Sequence, residues 1–146
     1  MRVELPGGRI VQAHGLITDV IPVEGDERPD WALYFDRLWL DRSVGWPYRF
    51  VDWSDFGVPV DEADAFAAFA EAWQRVQGGE LVDIACDGGT GRTGSALACI
   101  VVLAGTQSAT DAISWVRSPS HYHPWAVEEP EQELLVARFA EWAPAK

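Results

Sequence analysis

The chain has 146 residues, 48% of them hydrophobic and eight of them Trp, which sizes it for one packed domain and excludes a disordered polymer. Its formal charge of −12 excludes non-specific nucleic-acid binding and offers no attraction to an anionic membrane, so any phosphate-bearing partner must be drawn in locally. The N-terminal Met1-Arg2-Val3-Glu4-Leu5-Pro6 has no apolar stretch of leader length and no run approaches a membrane span, and the two cysteines therefore read as free thiols of a reducing cytoplasm. A single lysine beside abundant Ala and Arg fits a GC-rich bacterial source.

In chain order, short strands are expected at Val3–Leu5, Arg9–His14, Trp31–Tyr34, Leu38–Leu40 and Tyr48–Asp52, with Pro22–Asp30 as a surface loop. Trp53 to Pro59 reads as a loop. Asp61, with Asp64 three residues on, caps a helix whose Ala65, Phe66, Phe69, Ala70 and Trp73 repeat at helical spacing until Gly78-Gly79. Leu81, Val82 and Ile84 form a buried strand, Thr93–Leu103 a helix, and Ser108 with Asp111 caps another ending near Arg117. Ser118–Trp125 is a loop, and a last helix runs from about Glu128 to Trp142. Strands fill the first half and helices the second, which predicts an α/β fold with one central mixed sheet flanked by helices over residues 1–146.

The chemistry concentrates in Cys86-Asp87-Gly88-Gly89-Thr90-Gly91-Arg92-Thr93-Gly94. A glycine-rich turn from strand to helix N-terminus gathers backbone N–H groups around one anion, and a thiol at its floor makes that anion site reactive. Arg92 offers a bidentate fork to two phosphate oxygens, and the same positive surroundings favour a thiolate at Cys86. Thr93 can donate its hydroxyl to the sulfur. Asp87 is expected to point to solvent, because a carboxylate beside the sulfur would oppose the thiolate. Three readings compete: an ordinary structural turn, a dinucleotide loop from Gly89-x-Gly91-x-x-Gly94, and a phosphate-cleaving loop. The dinucleotide reading needs a following strand, and the chain after Gly94 is helical.

Taken together, these residues resemble the cysteine-based protein-tyrosine and dual-specificity phosphatases, whose loop is H-C-x-x-G-x-x-R-[ST]-G. Cys86, Gly89, Arg92, Thr93 and Gly94 match it. Trp53-x-Asp55-x-Gly57-x-Pro59 is similar to the family's W-P-D-x-G-x-P loop. Arg117, His123-Pro124-x-Ala126-Val127 and Gln132 are similar to its late R-x-x-R-P-x-x-V segment and glutamine. The resemblance implies the phosphatase fold, with the Cys-x5-Arg loop between a central strand and a helix. It implies a phosphocysteine intermediate, with Cys86 as nucleophile, Arg92 binding phosphate, Asp55 as general acid, Thr93 assisting the sulfur and Gln132 positioning water. Asp87, Gly88, Gly89, Thr90 and Gly91 would line the phosphate with Arg92. No metal or cofactor is implied. The partner would be a phosphorylated protein or a small phosphomonoester, with no nucleic acid or membrane; oligomeric state is not legible.

Two positions depart from the pattern, Ala85 for the histidine before the cysteine and His123 for the second late arginine. Ala85 keeps a second hypothesis open, a phosphate-binding module without turnover; a sulfur or arsenic redox enzyme is a third. Cys99 reads as a core residue, His121 and His123 as loop anchors, His14 as structural or exposed, and Asp52 as a rival to Asp55.

Overall fold

The computed structural model describes residues 1–15, 27–36, 44–105 and 108–143. Among these residues five strands, β1 (Arg2–Glu4), β2 (Ile10–Gly15), β3 (Trp31–Tyr34), β4 (Tyr48–Phe50) and β5 (Val82–Cys86), form one mixed sheet in the order β1-β2-β5-β3-β4. Only β1 runs antiparallel to its neighbour; β2, β5, β3 and β4 are parallel. The strand expected at Leu38–Leu40 lies outside the described residues. The other strand positions match to within a residue or so, except that β4 stops at Phe50 rather than Asp52.

Period-two alternation sorts the sheet into two faces. Val11, Ala13, Leu33, Val82, Ile84 and Cys86 belong to the main core, which the helices cover. Ala32, Tyr34 and Ala85 belong to the opposite face, against which Val44, Trp46 and Tyr48 pack. Of the four helices among the described residues, α1 (Glu62–Gln77) starts on the Asp61 side chain, which accepts the Asp64 N–H at 3.1 Å, and ends at Gly78. Its Phe66 and Phe69 join Phe35, Trp53 and Phe139 in an aromatic cluster with Phe69 at the centre, ring centroids 5.8–6.5 Å from it.

Helix α2 (Gly91–Gly105) is buried along its length from Gly91 to Leu103, because α1, α3 (Ala109–Arg117) and α4 (Pro130–Trp142) all pack around it. It begins two residues before the expected Thr93, since the glycine loop itself winds into the first turn. The last helix starts at Pro130, a residue preorganised for N1, rather than at Glu128; Glu129 is its N-cap and Gln132 closes the capping box. Among the described residues no single helix is long and apolar enough to cross a membrane.

The parallel arrangement decides where chemistry can occur. The carboxyl ends of β2, β5, β3 and β4 all open on one edge of the sheet, and α2 leaves from the same edge. Gly15, Cys86, Phe35 and the segment after Phe50 are thereby brought together, the place where open parallel sheets hold ligands. Removing the aromatic hub should unsettle the whole packing. Phe69→Ala is expected to cost about 3–5 kcal/mol, read as a lower urea midpoint at unchanged m-value.

Candidate active site

Cys86 ends β5 with its side chain buried, and the chain then turns through Asp87, Gly88, Gly89 and Thr90 into α2. The Gly89 N–H points back at the sulfur, with nitrogen to Sγ at 3.2 Å. Gly89 can do this because it is left-handed, with φ at +72°, a region favouring glycine. Its backbone also lies directly against that of Gly15 at the end of β2. A Cβ on Gly89 would stand 2.5 Å from the Gly15 nitrogen, and one on Gly15 would stand 2.9 Å from the Asp87 carbonyl oxygen. The Tyr122 hydroxyl donates to the Gly89 carbonyl from the far side. Burial, and then the neighbouring Cys86, raise the Tyr122 phenol well above its ordinary range, so it remains a donor.

Arg92, on the first turn of α2, is 4% exposed, which makes its charge expensive unless fixed. One terminal nitrogen donates to the Phe35 carbonyl at 3.1 Å and to the Trp53 carbonyl at 2.9 Å. Nε has no hydrogen-bond partner among the described residues; Asp55 Oδ1 is its nearest countercharge, at 3.7 Å. The guanidinium is thus anchored at one end and has unused donor capacity at the other. Thr93, fully buried beside it, likewise has a hydroxyl without a partner among the described residues.

The Asp55 loop is held from within. The Trp53 indole donates to the Gly57 carbonyl at 2.7 Å, the Gly57 N–H reaches Ser54 at 3.0 Å, and Trp53 bridges to Pro59. The Asp55 carboxylate accepts its neighbour's N–H, Phe56, at 3.0 Å and remains half exposed. A cleft of about 270 Å³ lies between this loop and the glycine loop, lined by Phe35, Asp36, Asp52, Trp53, Ser54, Asp55, Asp87 and Arg92. Asp87 is exposed at its rim, and Asp52 lines the cleft with Asp55.

Gln132 is buried, and both ends of its amide are in use. Its oxygen accepts the N–H groups of Glu128 and Glu129, and its nitrogen donates to the Gly57 carbonyl at 3.1 Å. It therefore ties the start of α4 to the Asp55 loop. Arg117 secures the preceding segment by donating to the carbonyls of Ala126 and Val127. Glu128 lies before α4 rather than in its first turn, and its carboxylate accepts from the Thr90 hydroxyl at 3.2 Å over the start of α2.

Cys99 is fully buried and its thiol is pushed up by burial alone. His121 stacks on Trp115 at 4.0 Å and reaches the Trp115 carbonyl, while His123 accepts from the Trp125 N–H. Both are loop anchors. Sequence reasoning missed Gly15, Tyr122, Glu128 and the Phe35 and Trp53 carbonyls, all of which touch the loop or its arginine. Only Gly15 left a signal, a glycine closing an apolar strand.

The Gly15 contact yields a direct test. Gly15→Ala forces a methyl against loop backbone, which typically costs about 1–3 kcal/mol. Inorganic phosphate binding, measured calorimetrically, should weaken about tenfold or more, while Gly78→Ala, in ordinary contact at the end of α1, should leave it unchanged.

The sequence pattern of the protein-tyrosine phosphatase family matches residues 22–140. The uncharacterized protein MJECL20 of Methanocaldococcus jannaschii is 34% identical over 112 residues, covering 71% of each chain. Among solved structures, Tk-PTP in its active form superposes with a TM-score of 0.76 at 22% identity, covering 97% of both chains. Kinase-associated phosphatase, with its catalytic cysteine replaced by serine, gives 0.72 at 17% identity over 97% of this chain and 93% of its own. At such identities the two structures speak to the fold, and the family pattern, which spans most of the sequence, settles the kinship: the chain belongs to the protein-tyrosine phosphatase family.

Proposed function

We propose that residues 1–146 form one phosphatase domain that hydrolyses phosphomonoesters, of the protein-tyrosine or dual-specificity type, through a phosphocysteine. The observation that carries this reading is Arg92, a buried guanidinium anchored by two carbonyls whose Nε has no hydrogen-bond partner among the described residues, at a cleft shared with Asp55 and beside the Cys86 loop. A buried donor without an acceptor costs free energy, and a bound phosphate oxygen would relieve it.

In the first step the Cys86 thiolate attacks phosphorus. The S–P bond forms as the P–O bond to the leaving group breaks, and Asp55 gives that oxygen its proton. Arg92 and the loop N–H groups stabilise the charge on the transferring phosphoryl oxygens. In the second step water attacks phosphorus, Asp55 takes back a proton, and the P–S bond breaks with the Thr93 hydroxyl available to the departing sulfur. Gln132 serves both steps through its bond to Gly57, which fixes the acid loop, and its second amide hydrogen is what it can offer a water. These residues bring the charge stabilisation the reaction needs without a metal or cofactor. The substrate is a phosphorylated protein or small phosphomonoester, met in the cytoplasm.

Hydrolysis of an aryl phosphate in chelator-treated buffer tests the proposal. Cys86→Ser should abolish turnover, and Asp55→Asn should lower kcat by about 10²–10⁴-fold. The need for a thiolate and a protonated acid together predicts a bell-shaped profile with its optimum on the acid side of neutral. A rate still climbing above pH 8, or equal rates for Cys86→Ser and wild type, overturns the reading. Absence of wild-type turnover, with a phosphopeptide bound and Arg92→Ala abolishing that binding, would make the domain a binding module instead.

A further inference from the structure

The face of the sheet opposite the helices carries charge where burial should forbid it. Asp83, the second residue of β5, is 2% exposed. His14 of β2 lies in register with Ala85, two residues beyond Asp83, and its Nε2 meets the Asp83 carboxylate at 2.9 and 2.8 Å. The Tyr34 hydroxyl donates to the same carboxylate at 2.9 Å from β3, and the Trp46 indole donates to that hydroxyl at 3.2 Å. Gln12 completes the set at 3.5 Å. Ala85 sits between His14 and Tyr34 in the strand pairing, and its small side chain leaves room for both to reach Asp83.

The protonation of His14 follows from its partners. Nε2 faces a carboxylate and Nδ1 faces the Gly15 carbonyl at 2.8 Å, so among the described residues each nitrogen meets only an acceptor. Both must donate to satisfy the site, which makes the ring an imidazolium. Burial works against the charge, but the hydrogen bond to Asp83, its charge and the Gly15 carbonyl together outweigh it and raise the group above its ordinary value. Among the described residues, the charged and titratable groups around it are Asp83 from β5, Tyr34 behind Asp83 from β3, and the more distant Met1 ammonium, which opposes the charge.

The Gly15 that His14 grips is the residue on which the glycine loop rests. We propose that His14 is a positioning residue of the catalytic loop: its imidazolium, strung between Asp83 and the Gly15 carbonyl, fixes the end of β2 against which Gly89 lies, and so holds the Gly89 N–H on the Cys86 sulfur. This rests on the reading of Cys86 as the nucleophile. It assigns to the neighbouring strand a service that Ala85, next to the cysteine, cannot give. The positive charge reaches the loop through one carbonyl and a backbone contact, so its effect is on loop shape rather than on the phosphate itself.

Two measurements test it, and neither depends on turnover. In the wild-type protein, ¹⁵N NMR of the imidazoles at pH 7 should show the His14 ring protonated at both nitrogens; a neutral His14 overturns the proposal. In His14→Gln, which keeps a donor for Asp83 but carries no charge, iodoacetamide labelling of Cys86 at pH 6, followed by peptide mass spectrometry, should slow about fivefold or more, and vanadate binding should weaken in parallel. Unchanged labelling and vanadate binding in a variant that merely melts earlier would reduce His14 to a packing residue and sink the idea. A wild-type protein that labels at Cys86 and binds vanadate without hydrolysing an aryl phosphate would fail the proposed function while leaving the role of His14 to stand on these readouts.

Discussion

The architecture of the site depends on two backbones touching. Gly89 on the loop and Gly15 at the end of β2 approach so closely that neither position tolerates a Cβ without displacement. That contact exists because β2 and β5 are parallel and in register, Gly15 opposite Cys86, so both strands end at the same level. With its back against Gly15 and its carbonyl held by Tyr122, Gly89 has one direction left for its N–H, toward the sulfur. The thiol thus gains a donor from the architecture of the sheet. A loop of the same sequence without that floor would have several shapes to choose from, since its glycines impose none.

The second constraint is electrostatic. A chain of charge −12 repels phosphate at long range, and the described cleft is lined by four aspartates and a single arginine. Attraction must therefore come from short distances and low dielectric, where fixed donors count for more than net charge. Arg92 meets that condition by being buried and held on two carbonyls, Phe35 after β3 and Trp53 at the start of the Asp55 loop. Those carbonyls do more than neutralise. They tie the position of the guanidinium to the strand and the loop that frame the cleft, so that Arg92 and Asp55 cannot drift apart independently.

What the sequence made legible was whatever is local. The loop from Cys86 to Gly94 and the turn from Trp53 to Pro59 announce themselves because their geometry is made by consecutive residues, and the helix caps at Asp61 and Ser108 appear as read. Element ends slipped where local rules competed. Gly91, which looked like loop, joined the first turn of α2, and Pro130 took the start of α4 from Glu128. Contacts made by strand pairing were invisible. His14 and Asp83 are 69 residues apart, and nothing near either one declares the other. Asp83 interrupts an apolar run in a way that alternation explains only once the sheet has two buried faces.

That second buried face changes how the absent histidine at position 85 should be weighed. In a sequence, Ala85 beside the cysteine reads as a loss. In the sheet, a larger side chain there would stand between His14 and Tyr34 and compete with both for Asp83. The exchange is coherent: a small residue on the central strand permits a charged pair assembled from its two neighbours, and that pair grips the very glycine that supports the loop. Breaking one partner of a buried pair commonly costs about 3–5 kcal/mol, because the other charge is left stranded. Such a cost makes the arrangement all-or-none. The loop is therefore coupled to a buried ion pair on the far side of the sheet, and through it to β2 and β3 at once, rather than to a side chain of its own.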